Sequence, residues 1–221
     1  PQTADKNWNK YQLFNGTEAV SFPVVDYSSK TLSFSFLYTA DESQLLEIGN
    51  GSAFSLAATQ NSTNGGANDF VIQSSNSSVS AAGQIWRYNG LSLGTTYTVV
   101  AVINSSFQIT SATINGSSMT TSGSGTSRNV NNITSFRIGL RSSNSFPYTG
   151  TIFNFNISSA FNVTGLGNDP WKDTIGSNDG TESGTFTREL VTASDANDQI
   201  DAYGTAISEP RTNSHVVNIF G

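Results

Sequence analysis

Alternation of apolar and polar side chains with a period of two is the feature that most limits what this chain can become. In Thr31–Tyr38, Leu32, Phe34, Phe36 and Tyr38 share one side while Thr31, Ser33 and Ser35 share the other. Successive side chains leave a pleated strand on opposite faces, so this period marks a half-buried β-strand. Tyr97–Ile103 repeats it with Tyr97, Val99, Ala101 and Ile103, and Val100 and Val102 add apolar weight to the other side. A strand apolar on both faces belongs at the centre of a sheet. Phe136, Ile138 and Leu140 form a further strand, as do Phe153, Phe155 and Ile157 set against Asn154 and Asn156. Shorter strands are expected at Tyr11–Phe14, Val20–Val24, Gln44–Ile48, Ala53–Ala57, Phe70–Gln73, Ile85–Tyr88 and Gln108–Ile114. No segment sustains the 3.6-residue period of a helix, and only Glu189–Gln199 has room for a short one.

Turn chemistry falls between these strands. Asn15-Gly16, Asn50-Gly51, Asn64-Gly65, Asn89-Gly90 and Asn115-Gly116 are Asn-Gly pairs, which supply the positive φ that tight hairpins need. Short strands with such punctuation every 8–12 residues or so indicate an antiparallel sandwich or barrel. Charged residues are only 12% of the chain, so its surface is polar but largely neutral. The net charge of −6 and ten scattered Lys and Arg argue against a nucleic-acid partner, whose phosphates demand clustered cations. They argue equally against an anionic membrane surface. With no cysteine there is no disulfide framework, thiolate metal site or cysteine nucleophile. No run of eighteen apolar residues suggests membrane insertion. The start, PQTADKNWNK, lacks an apolar leader, which reads as a chain made without a secretory signal.

Composition shifts after Asn162. Asp and Glu become denser and large apolar residues thin out, giving an expected β-sandwich over 1–162 and a C-terminal extension over 163–221. The last residues turn apolar again in His215–Phe220, and such a segment calls for pairing with a sheet edge, its own or a neighbour's. Trp171 is expected to pack the extension onto the sandwich.

Four segments, in order, resemble the concanavalin A-like (laminin-G-like) jelly-roll family. QLFNGTEAVSFP at Gln12–Pro23 resembles its opening strand pair. TLSFSFLYTADESQLLEIG at Thr31–Gly49 resembles its long aromatic strand, turn and LLxIG strand. VVAVI leading to Ile114-Asn115-Gly116 resembles its ING hairpin. Phe136–Ile157, with FRIG and then GTIFNFNIS, resembles its closing strands. The resemblance covers about residues 12–160 and implies an all-β, antiparallel two-sheet jelly roll. Asp201–Gly221 resembles the tail of bacteriophage virion proteins that carry this domain. That likeness implies a capsid decoration, head fibre or tail-associated adhesin on the virion surface. Its partners would be other virion proteins, further copies of itself and host surface glycans. The alternative is a carbohydrate-binding module of a secreted protein.

Enzymes of this family are glucanases, which set two Glu and one Asp along one strand face. The nearest pattern here, Asp41-Glu42…Glu47, places its acids in a turn and near a strand end, so hydrolysis is not expected. The single histidine, His215, has no partner pattern for a triad or a metal site. Glycan recognition needs an aromatic plate for the apolar face of a sugar and polar groups for its hydroxyls. Candidates are Trp86 and Tyr88 in QIWRYNG, and Arg141, Asn144, Phe146 and Tyr148 in the RSSNSFPYTG loop; the competing reading puts Trp86 and Phe146 in the core. Asp173, Asn178 and Asp179 resemble an oxygen-rich turn able to hold calcium, and the competing reading is a turn capped by its own side chains.

Overall fold

The computed structural model describes residues 10–39, 41–49, 54–61, 68–74, 84–122, 133–139, 146–165 and 170–190. Their regular structure is entirely β. In chain order the strands are β1 (Lys10–Asn15), β2 (Ala19–Phe22), β3 (Thr31–Leu37), β4 (Ser43–Gly49), β5 (Phe54–Gln60) and β6 (Asp69–Ser74). There follow β7 (Gln84–Asn89), β8 (Thr96–Ile103), β9 (Ile109–Ile114), β10 (Ser117–Ser118), β11 (Thr120–Ser122) and β12 (Ser135–Ile138). The last are β13 (Thr149–Gly150), β14 (Ile152–Ile157), β15 (Phe161–Thr164), β16 (Thr181–Ser183) and β17 (Thr187–Leu190).

Two antiparallel sheets form the sandwich. One has six strands in the order β10-β9-β8-β3-β14-β15, the other eight in the order β11-β7-β6-β5-β4-β12-β2-β16; a small β13-β1-β17 sheet closes one side. Aromatic rings interlock across the gap. Phe36 of the six-stranded sheet stacks on Phe70 of the eight-stranded sheet at 5.5 Å, Phe155 meets Phe136 at 4.9 Å, and Phe161 meets Phe22 at 4.9 Å. These are the separations of offset or edge-on ring pairs, and each buried ring adds to the main favourable term in folding.

All eleven strands expected from alternation are present, and Asn115-Gly116 forms a hairpin turn with φ of +47° and +77° between β9 and β10. The departures have local causes. On β14 the register jumps between Ile152 and Asn154, so Phe153 is an extra residue of a β-bulge. Ile152, Phe155 and Ile157 fill the core, and Phe153 is only half-buried. β8 is indeed central, yet its second face looks outward and Val102 is 40% exposed.

The expected division at residue 162 falls inside β15. Residues 170–190 belong to the sandwich: β16 pairs with β2, β17 pairs with β1, and Trp171 is completely buried against Phe14 and Phe22. Acid-rich, Gly-rich sequence masked this because its strands are short edge strands, whose outward residues need not be apolar. Glu189 and Leu190, expected to open a helix, lie in β17. The rest of that segment, Leu140, His215 and the tail from Asp201 lie outside the described residues.

Candidate functional site

The outward face of the eight-stranded sheet carries a fixed polar array. A β-bulge in β4 makes it, since Gln44 pairs with Thr59 and Leu46 with Ala58, leaving Leu45 as the extra residue. Gln44 and Glu47, three apart in sequence, therefore share the face turned away from the core. Gln44 Nε2 donates to Glu47 Oε2 at 3.4 Å and to the Leu46 carbonyl at 3.1 Å. Arg137 of β12 lies directly opposite Glu47, and on its other side Glu47 faces Ala57, which faces Gln73. Ala57, between Glu47 and Gln73 in the ladder, is itself buried, so Gln73 is the more accessible end of this row. One row along, Arg87 stands 3.9 Å from the buried Asp69 carboxylate. Glu47 is buried, while Arg137, Gln73 and Arg87 are half-buried. Simple alternation could not reveal this array. The signal was the doubled Leu45-Leu46 between polar Gln44 and Glu47, which breaks the period of two as a bulge must.

The aromatic candidates do not make one surface. Trp86 and Tyr88 sit two residues apart on the inward face of β7, half-buried and packed on the core. Phe146 is 40% exposed at a left-handed φ of +55°. Tyr148 corrects the sequence reading: it is wholly buried against Phe14, with its hydroxyl 2.6 Å from the Leu37 carbonyl and 3.0 Å from that of Thr151. A ring held inside the sandwich by backbone acceptors offers no plate to a ligand. Arg141 and Asn144 lie outside the described residues.

Asp173, Asn178 and Asp179 do come together, in the geometry of a self-capped turn. Asp173 Oδ1 accepts from the Asn162 and Ile175 amides, each at 3.0 Å, and Oδ2 accepts from the Asn178 amide at 3.2 Å and its Nδ2 at 2.9 Å. The Asp173 amide in turn donates to Asp179 Oδ1 at 2.8 Å. A carboxylate has about four lone-pair sites, and four N–H groups aimed at Asp173 occupy them, so a calcium ion would meet donors rather than free oxygens. Among the described residues no three acidic or histidine side chains gather as a metal site. Burial works to raise the pKa of Asp173, but the N–H donors of Asn162, Ile175, Asn178 and Gly176 outweigh it and hold the value at about 2. The depressed pKa stabilises the fold fully above the unfolded value of roughly 3.9, and that contribution drains away as the pH falls toward 2. Thermal melts of wild type should therefore fall by about 1–2 kcal/mol in stability from pH 5 to pH 2 through this group. Asp173→Asn should flatten that part of the profile, and an unchanged acid slope would sink the assignment.

The acids suspected of catalysis are dispersed. Asp41 is exposed and its Oδ2 accepts from Thr149 Oγ1 at 2.8 Å, and Glu42 follows it just before β4. Glu47 and Asp69 share the outward face two strands and about four residues apart, roughly 16 Å by strand geometry. Glycosidase pairs stand about 5–10 Å apart, so neither hydrolytic geometry is met by these two.

An all-β antiparallel sandwich of this topology, with a polar array on one outer face, defines the molecule as a concanavalin A-like jelly roll. Among solved structures it is similar to a putative carbohydrate binding protein from Bacteroides ovatus (TM-score 0.60, 16% identity, 84% of this chain and 60% of that one). It also resembles domains LG4-5 of the mouse laminin alpha1 chain (TM-score 0.49, 16% identity, 72% and 43%) and Caenorhabditis elegans galectin LEC-6 (TM-score 0.43, 15% identity, 68% and 96%). The chain thus spans under two thirds of the length of the Bacteroides and laminin chains. No protein-family model matches the chain, and no curated protein matches its sequence.

Proposed function

We propose that this chain is a non-catalytic glycan-binding module whose ligand lies on the outward face of the eight-stranded sheet. The observation that carries this reading is the β4 bulge, which holds the Gln44 amide beside the Glu47 carboxylate with Arg137 opposite and Gln73 two strands away in the same row. Amide, carboxylate and guanidinium groups alternate donors and acceptors at fixed spacing, which suits the hydroxyls of a saccharide better than an apolar or a singly charged ligand. The designation of the Bacteroides protein as carbohydrate binding is of the same class. A virion-assembly role would rest on residues 201–221, outside the described residues, and no geometry favours it.

A glycan array probed with the folded chain tests the proposal. Specific saccharide hits are expected, and Gln73→Ala should weaken them about tenfold, or ~1.4 kcal/mol. Because Gln73 is half-buried on the outer face, this variant should keep the wild-type melting temperature within a few degrees. A silent array would remove the glycan reading, and hits indifferent to Gln73→Ala would remove the ligand from this face.

A further inference from the structure

Among the described residues, three polar atoms at one end of the eight-stranded sheet are buried without a hydrogen-bond partner: Ser74 Oγ, Gln84 Oε1 and Trp86 Nε1. The register sets them side by side. Ser74 of β6 lies directly opposite Gln84 of β7, and Trp86 follows two residues on, opposite Ile72. Opposed Cβ atoms stand about 5 Å apart and same-face neighbours along a strand about 7 Å, so one small molecule can reach all three. Ile72 belongs to the core and Trp86 packs against it, which identifies this as the inward face, opposite to the polar array. Ser74 is fully buried, while Gln84 and Trp86 are half-buried as residues, with Gln84 Oε1 and Trp86 Nε1 on their buried sides.

An unmade hydrogen bond inside a sandwich is costly, and three at adjacent positions are a concentrated defect in the chain alone. Their chemistry is complementary to a polyol. The indole N–H donates to a hydroxyl oxygen, the Gln84 carbonyl accepts a hydroxyl proton, and Ser74 does either. The Trp86 ring adds an apolar surface for the C–H face of a sugar, which water would not use. Alternation turns Arg87, the one charged residue of β7, to the opposite face, where it meets Asp69. We propose that the β6–β7 corner is a separate binding site for a neutral, hydroxyl-bearing ligand about the size of one sugar ring. It does not depend on the outward-face reading.

The indole N–H resonances report on it directly. The chain has three tryptophans, and Trp86→Phe identifies the signal of interest in a nitrogen-15 spectrum. The full chain is titrated with methyl glucoside, methyl galactoside, methyl mannoside and N-acetylglucosamine up to about 50 mM, well past a millimolar Kd. The Trp86 signal is expected to move saturably with at least one of them. Ser74→Ala and Gln84→Ala should each weaken that response about threefold to tenfold, and Gln73→Ala should leave it unchanged, which separates this site from the outward face. Ser74→Ala removes only an unpartnered hydroxyl, so the fold should persist. A Trp86 signal unmoved by every sugar, or one showing only contact with a long-lived buried water, would overturn the proposal.

Discussion

Trp171→Ala is expected to lower the unfolding free energy by about 3–5 kcal/mol, the range seen when a wholly buried large aromatic is truncated. The side chain is fully buried, edge-on to Phe14 at 6.0 Å and to Phe22 at 6.3 Å, and its indole N–H donates to Gln12 Oε1. Gln12 Nε2 then donates to the Glu182 carboxylate, so one indole ties the first strand to the strand at the far edge. Truncation leaves a cavity between those elements and strands the buried Gln12 carbonyl. Alanine does not relieve the backbone either, because the residue sits at a left-handed φ of +67° whichever side chain it bears. Urea denaturation measures the loss as a lower midpoint at unchanged slope. A shift below about 1 kcal/mol would mean that the core does not rely on this ring.

Tyr148→Ala should destabilise the fold by a similar amount, about 3–5 kcal/mol. Tyr148→Phe should cost about 1–2 kcal/mol, because only the hydroxyl shared between the Leu37 and Thr151 carbonyls is lost. The pair of variants separates packing from hydrogen bonding. Burial pushes the Tyr148 pKa up, since a phenolate inside the sandwich would lose its water and face the Leu37 and Thr151 carbonyl oxygens. A raised pKa favours the protonated phenol in the folded chain. Its contribution is therefore complete below about pH 10, the value for an unfolded tyrosine, and is lost as the pH rises beyond it. Alkaline melts should show the wild type losing stability above that pH faster than Tyr148→Phe. Ionisation of all seven tyrosines near pH 10 in an absorbance titration of the folded chain would contradict the burial.

Tyr148 also shows where sequence reading stopped. Alternation reports a strand and its two faces, and it found the core from Leu32 to Phe36 and from Tyr97 to Ile103 without help. It does not say whether an aromatic just before a strand folds inward, and Tyr148 turns in to pack on Phe14 with two backbone carbonyls within reach of its hydroxyl. Bulges defeat periodicity in the same way. An extra residue at Leu45 brought Gln44 and Glu47 to one face, and another at Phe153 carried a phenylalanine out of the core. Residues 170–190 stayed hidden for a third reason. Short strands such as Thr181–Ser183 are exposed throughout, so they are specified by the neighbour they pair with and leave no pattern of their own. The unpartnered Ser74 and Gln84 beside Trp86 emerged only once the register of β6 and β7 was known.

The antiparallel ladder between Lys10–Leu13 and Thr187–Leu190 joins stretches some 175 residues apart in the chain. During synthesis the opening strand leaves the ribosome long before its mate exists. Its backbone must wait, unzipped, until nearly the whole described chain has emerged. Completion of this seam thus waits on residues 181–190, and a nascent chain arrested before residue 181 would leave β1 and β2 open along one edge to any passing strand.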